Sequence, residues 1–228
     1  MQDTPNIIRG IQGPDYKALF FSEPMAALKI PITLKAGYGI VEQGTLLAEV
    51  EVADVGTGYY IPYNPLTFTG DVLQCARAFL VADNSSSAVI YVTQKDSYRF
   101  AVGDDIIINS TGNTAADLGV IKEIDRTTER QRAKITATSS SGTTFTTAHS
   151  AYITCEAGTA VGTGGTDYST AVGVLDKDVD TGVGENAKGA NATLILGNAV
   201  LYTSALVNLD DTGLTDLGGT SVSRFTKI

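Results

Sequence analysis

Side chains able to carry acid–base, nucleophilic or metal chemistry are scarce, since 228 residues contain one histidine, His149, and two cysteines, Cys75 and Cys155. His149 stands in Thr146-Thr147-Ala148-His149-Ser150, and no Gly-x-Ser-x-Gly elbow is present to supply a nucleophile for it. A surface or strand-end histidine is the expectation, and no catalytic residue is assigned. The run Asp176-Lys177-Asp178-Val179-Asp180 sets carboxylates at positions 1, 3 and 5, as a calcium-binding EF-hand loop begins. Position 6 is then Thr181 where glycine is needed, and position 12 is Ala187 where a bidentate glutamate is needed. A solvated acidic turn is predicted, with no metal. Gly182-Val183-Gly184-Glu185-Asn186-Ala187 spells a dinucleotide-binding pattern, but β-type sequence from Thr193 leaves no helix whose N-terminus could hold a pyrophosphate. Lys188 is followed by Gly189, where a phosphate-binding loop needs Ser or Thr to reach magnesium. No nucleotide and no cofactor is expected.

Two other clusters bear on binding. Lys122, Arg126, Arg130, Arg132 and Lys134 form the one basic group, but Glu123, Asp125 and Glu129 interleave with it and cancel most of the local field. Arg132, Lys134 and Thr136 alternate with Ala133, Ile135 and Ala137, the pattern of a strand with one wet face. The net charge of −9 repels phosphate and anionic lipid, so neither nucleic acid nor membrane is an expected partner. Tyr59, Tyr60 and Tyr63 could make an aromatic platform for a sugar, although tyrosines that bury the ring and hydrogen-bond the hydroxyl are ordinary in β cores. The core reading is favoured.

These residues must be positioned by strands. Ile30-Pro31-Ile32-Thr33-Leu34 reads as β, and Ala48, Val50 and Val52 then alternate with Glu49 and Glu51. Between Val72 and Gly158, short β runs recur at 88–92, 105–108, 120–124, 133–136 and 152–154, separated by turn signals, and predict a small barrel or sandwich of their own. The Gly-rich run 158–166 is linker chemistry, after which Ala171–Leu175, Thr193–Leu196 and Ala199–Tyr202 return to strand patterning. A short helical turn is predicted at 204–209, capped by Thr203 or Ser204. All-β is the expected class. The predicted organisation is an N-terminal arm at 1–16, a discontinuous base at 17–71 and 166–228, and an inserted β domain at 72–165. In the arm, Ile7, Ile8 and Ile11 suit a partner surface better than a merely flexible leader, because buried apolar area is what they supply. No basic region followed by an apolar stretch opens the chain, so synthesis in the cytoplasm is expected. The uncharged run 189–209 carries Asn191, Asn198 and Asn208 among other polar residues and reads as soluble strand sequence.

A family resemblance rests on blocks in order: Gly44-Thr45-Leu46-Leu47-Ala48-Glu49, Gly58-Tyr59-Tyr60-Ile61-Pro62-Tyr63-Asn64-Pro65, Thr170 to Asp180, and Ala199-Val200-Leu201-Tyr202 with Ala205-Leu206-Val207. In this the chain resembles the lambda-type head decoration proteins of tailed bacteriophages. The resemblance covers about residues 17–70 and 166–228; the inserted module and the tail from Asp210 to Ile228 have no counterpart. It implies a β-tulip-type base, no enzymatic activity, and a homotrimeric cement protein. Such a protein sits on the outer surface of the capsid at local three-fold sites of an expanded head and binds the major capsid protein. Pro5, Asn6, Ile7, Ile8 and Ile11 are then the candidate capsid-binding arm residues. The competing reading is a carbohydrate- or receptor-binding module on a virion, with the insert as reader. Against it, Phe79, Tyr91, Tyr98, Phe100, Phe145 and Tyr152 lie in or beside apolar strand runs and read as core. Cys75 and Cys155 fall near the two ends of the insert, which must lie close together, and a reducing cytoplasm favours two packed free thiols over a bridge.

Overall fold

In the computed structural model, residues 19–20, 26–52, 55–65, 75–155, 170–218 and 225–227 are described. The first stretch forms β1 (Leu28–Leu34), the two-residue β2 (Ile40–Val41), β3 (Leu46–Val52) and β4 (Val55–Pro62). The middle forms β5 (Ala78–Phe79), β6 (Asn84–Ser85), β7 (Val89–Thr93), β8 (Asp105–Ser110), β9 (Asn113–Asp125), β10 (Arg132–Ala137), β11 (Thr144–Phe145) and β12 (Tyr152–Cys155). The last stretch forms β13 (Gly173–Leu175), β14 (Val179–Asp180), β15 (Ala190–Gly197), β16 (Ala199–Leu201) and β17 (Phe225–Lys227). The chain is all-β.

Strand pairing sorts these elements into two main sheets. A barrel of order β1-β15-β13-β3-β4 is closed by parallel pairing of Thr33 and Leu34 in β1 with Tyr59 and Tyr60 in β4. A six-stranded sheet of order β5-β12-β8-β9-β10-β7 is built wholly from the middle of the chain. Its first and last strands also meet, through the bridge Leu80–Val92 and a 2.9 Å bond from the Val81 amide to the Tyr91 carbonyl. That sheet thereby curls round on itself, as a small sheet with edges to hide must.

The barrel wall is buried on both faces. Leu47, Leu175 and Leu194 pack inward with Ile32, Leu34 and Ile61. Their neighbours Leu46, Val174 and Ile195, which face one another across strands, pack outward against Leu19, Tyr63, Leu201 and Leu217. All six of these central side chains are fully buried, so the strands read as Leu-Leu, Val-Leu and Leu-Ile rather than as alternating patterns.

The outer layer over that wall departs from expectation. The helical turn predicted at 204–209 is a single 3₁₀ turn at Thr203–Ala205, and its N-cap position is Tyr202 rather than Thr203 or Ser204. A true α-helix follows at Asp211–Gly218. Asp210 caps it, its Oδ1 accepting from the Gly213 amide at 2.7 Å and from the Tyr63 hydroxyl at 2.8 Å. Gly213 is pressed so close to the barrel that a Cβ there would lie 2.8 Å from Leu46 and 3.1 Å from the Tyr63 ring. Asp210-Asp211-Thr212-Gly213 has turn composition, and only contact with the barrel favours a helix there.

Candidate functional site

A buried set of ionisable side chains lies where the barrel meets the middle sheet. β1 ends at Leu34, and Lys35 immediately beyond it donates from Nζ to Asp104 Oδ2 at 2.8 Å and to Cys155 Sγ at 3.5 Å. Asp104 stands just before β8 and Cys155 ends β12, so one lysine from the barrel reaches two strands of the other sheet. Arg99 lies deeper, with its side chain fully buried. Its Nε donates to the Gly37 carbonyl at 3.4 Å, and its Nη1 donates to the Cys75 and Arg77 carbonyls. Asp96 pairs with it at 3.0 Å, and the Tyr38 ring lies 4.9 Å beneath the guanidinium. Gly37 is required here on two counts: its φ is +93°, and a Cβ would meet the Arg99 amide nitrogen at 2.8 Å.

This junction is built for cohesion. Burial pushes the Cys155 thiol up to about 12 and raises Cys75 as well, so both stay protonated at neutral pH and neither is set up as a nucleophile. For Lys35, burial acts to lower the pKa, but Cys155 and Asp104 more than offset it and hold the ammonium above the usual lysine range. Burial likewise raises the Tyr38 phenol. Both cysteines are buried thiols outside any disulfide, as the expectation of packed thiols had it. Sequence reading passed over Lys35, Arg99 and Asp104; the one available signal was an arginine set between Tyr98 and Phe100, where a guanidinium has aromatic partners.

The residues singled out in the sequence are scattered. Of the tyrosine cluster, Tyr59 is half exposed while Tyr60 and Tyr63 are buried, so the three rings share no platform. In the acidic turn, Asp176 is buried and pairs with Lys29 at 2.8 Å, a brace where a solvated side chain was expected. Asp178 accepts from the Gln43 amide and Asp180 from the Gly182 amide, so the carboxylates are turned to separate partners. Among the described residues no group of three potential metal-ligating side chains comes together. Gly182 to Ala187 makes one 3₁₀ turn at Gly184–Asn186 ahead of β15. His149 is exposed, its Nδ1 3.1 Å from the Thr146 hydroxyl.

Two members of the basic cluster, Arg126 and Arg132, are held against the middle sheet, while Lys122 and Arg130 are exposed. Arg126 donates to the Ser97 hydroxyl and carbonyl and covers the Tyr98 ring at 4.4 Å. Arg132 pairs with Glu129 and covers Tyr91 at 4.2 Å. Arg77 covers Tyr152 at 4.5 Å. The predicted arm residues Pro5, Asn6, Ile7, Ile8 and Ile11 lie outside the described residues. No helix among the described residues is long and apolar enough to cross a membrane. Compared with protein-family models, curated proteins and solved structures, the chain has no match in any of the three.

Proposed function

We propose that this chain is a structural virion protein that decorates and stabilises the expanded head of a tailed phage, as a trimer at local three-fold sites on the outer surface. Its partners in this reading are the major capsid protein and two further copies of itself, and it has no enzymatic role. The observation that supports it is the convergence of the resembling blocks on Gly44 to Leu46. Gly44 donates to Leu175 and Thr45 accepts from Leu175, joining the first block to the third. Leu46 donates to Val207 and accepts from Tyr63, joining the first to the fourth and the second. Gly44 approaches Ala205 so closely that a Cβ would lie 2.2 Å from the Ala205 carbonyl oxygen. Blocks scattered over more than half the chain thus form one hydrogen-bonded unit, as the resemblance to a decoration-protein base requires.

A sugar-reading insert is the weaker alternative, because Tyr91, Tyr98 and Tyr152 each have one ring face covered by an arginine. Sedimentation of the purified protein, with co-pelleting on expanded and unexpanded heads, tests the proposal. A trimer that pellets with expanded heads alone is expected; a monomer that pellets with neither would refute it.

A further inference from the structure

Just past the end of β1, an amine, a carboxylate and a thiol meet at one point. The Lys35 ammonium lies 2.8 Å from Asp104 Oδ2 and 3.5 Å from Cys155 Sγ, and that thiol lies 3.7 Å from the same Asp104 oxygen. The Ala101 amide donates to Oδ2 at 2.9 Å and fixes the carboxylate between its two partners. Lys35 and Cys155 are 120 residues apart in the chain, one at the barrel and the other on the middle sheet. An ion pair needs no thiol beside it, because a neutral sulfur is a weak acceptor for a charged donor.

The cluster is closed over the sulfur and open beside it. Cys155 is 4% exposed, whereas the Lys35 and Asp104 side chains are 19% and 20% exposed, so a molecule as small as a peroxide has a way in past the ion pair. Burial keeps the thiol protonated at rest and makes its oxidation slow. What the geometry decides is the fate of the sulfur once oxidised, because a sulfenic acid condenses with a neighbouring nitrogen or thiol, and here an amine is already in contact.

We infer that Lys35 and Cys155 form an oxidative crosslink, with a peroxide as the oxidant, that fastens the barrel covalently to the middle sheet. In the first step the sulfur attacks one peroxide oxygen: the S–O bond forms as the O–O bond breaks, and the thiol proton leaves through Asp104 with the departing hydroxide as water. Sulfur gives up two electrons and the peroxide takes them. In the second step Lys35 passes a proton to Asp104 and its nitrogen attacks the sulfenic sulfur. The N–S bond forms, the S–O bond breaks, the hydroxyl departs with the Asp104 proton as a second water, and the remaining extra proton on nitrogen goes to solvent. The product is a sulfenamide, which thiol reductants reopen. The inference stands apart from the decoration reading, since it needs only these three side chains.

The test is the full-length protein treated with hydrogen peroxide, denatured without reductant, digested and analysed by mass spectrometry. A peptide pair joined through Lys35 and Cys155 is expected, two hydrogens lighter than its separate parts and released by dithiothreitol. A pair with one added oxygen, an N–O–S bridge made with a second peroxide, is the same link and also supports the inference. Because the link closes a loop of 120 residues, the oxidised chain should run ahead of the reduced one on a denaturing gel and melt at a higher temperature, as a disulfide of that span would make it. Lys35→Arg, which keeps a charge beside Asp104, and Cys155→Ser should each abolish the pair. Cys75, whose Sγ faces the Arg77 carbonyl, should not be joined to a lysine. Recovery of Cys155 as a free thiol, a sulfinic or sulfonic acid, or a disulfide with Cys75, with Lys35 unmodified at a peroxide dose that oxidises the two methionines, overturns the inference. That result comes from the unsubstituted protein and holds even if neither variant folds.

Discussion

The barrel and the middle sheet solve the same problem in opposite ways. In the barrel, β13 is buried at every residue and its neighbours carry consecutive apolar side chains, because Leu47, Leu175 and Leu194 fill the interior while Leu46, Val174 and Ile195 lie under the tail. In the middle sheet, β7 and β10 alternate strictly, with Ala133, Ile135 and Ala137 buried and Arg132, Lys134 and Thr136 at the surface. One sheet needs a second layer of chain over its outside. The other covers its own aromatic rings with arginines and leaves that face wet. The difference predicts where substitutions are costly, and the junction between the two is where the largest cost falls.

Arg99→Met breaks the comparison most directly, since it removes the only cation paired with buried Asp96 among the described residues and strips a donor from three carbonyls drawn from both sides of the junction. Breaking one partner of a buried pair costs ~3–5 kcal/mol, and Arg99→Met with Asp96→Asn should recover part of it by removing the stranded charge. Urea unfolding measures the loss, and hydrogen exchange in β8 and β15 locates it: protection should fall in both. Unchanged protection in β15 would mean that the two sheets do not depend on one another through Arg99.

A matched pair comes next. Leu47→Ala hollows the barrel interior and Leu46→Ala hollows the layer beneath the helix Asp211–Gly218, and both side chains are 0% exposed. If the outer layer is core in the full sense, each costs about 2–5 kcal/mol. A loss at Leu46 close to that of a surface substitution would show the tail to be a loose cover, and the double burial of the wall would have to be abandoned.

This contrast also explains what could be read in advance. The strands of the middle sheet were legible because Arg132 to Ala137 states its period plainly, and the same holds for Val89 to Thr93. The barrel strands were legible as β runs, but Leu46-Leu47 carries no sign of which residue faces inward, so the outer layer and its helix went unseen. The junction was the least legible of all. Lys35, Arg99 and Asp104 are separated by up to 69 residues, each is unremarkable in its local context, and only the docking of two sheets brings them together.

Alkaline pH probes the same junction more gently. A thiol raised from 9.0 to about 12 in the folded state means that, above pH 9, the unfolded chain releases a proton that the folded chain retains. Stability therefore falls as pH rises from about 9 towards 12, and the raised Lys35 acts with the same sign from its ordinary pKa upward. Stability at pH 10 should therefore be measurably lower than at pH 8, with Cys155 contributing to the loss. Cys155→Ala should make the decline between pH 8 and 10 shallower, the raised Cys75 thiol still contributing with the same sign, whatever it does to absolute stability. An equally steep decline in that variant would place the alkaline sensitivity elsewhere.

The smallest effect belongs to the wet face of the middle sheet. Lys134 sits on β10 opposite Tyr91 on one side and Asp125 on the other, half-buried, with its alternating neighbours Ala133 and Ile135 supplying the burial. Its aliphatic stem covers some sheet surface, but an ammonium that remains in contact with water gains little from a nearby carboxylate once screening and side-chain ordering are counted. Lys134→Ala should therefore change unfolding free energy by no more than ~0.5 kcal/mol, whereas Ile135→Ala, one residue along and facing inward, should cost about 2–5 kcal/mol. The ratio between adjacent positions is the informative quantity, because a shift of one residue in the register of β10 against β7 would exchange the two outcomes. Comparable losses at both positions would indicate that this face is covered in the assembled protein, and the basic cluster would then have to be reconsidered as buried interface.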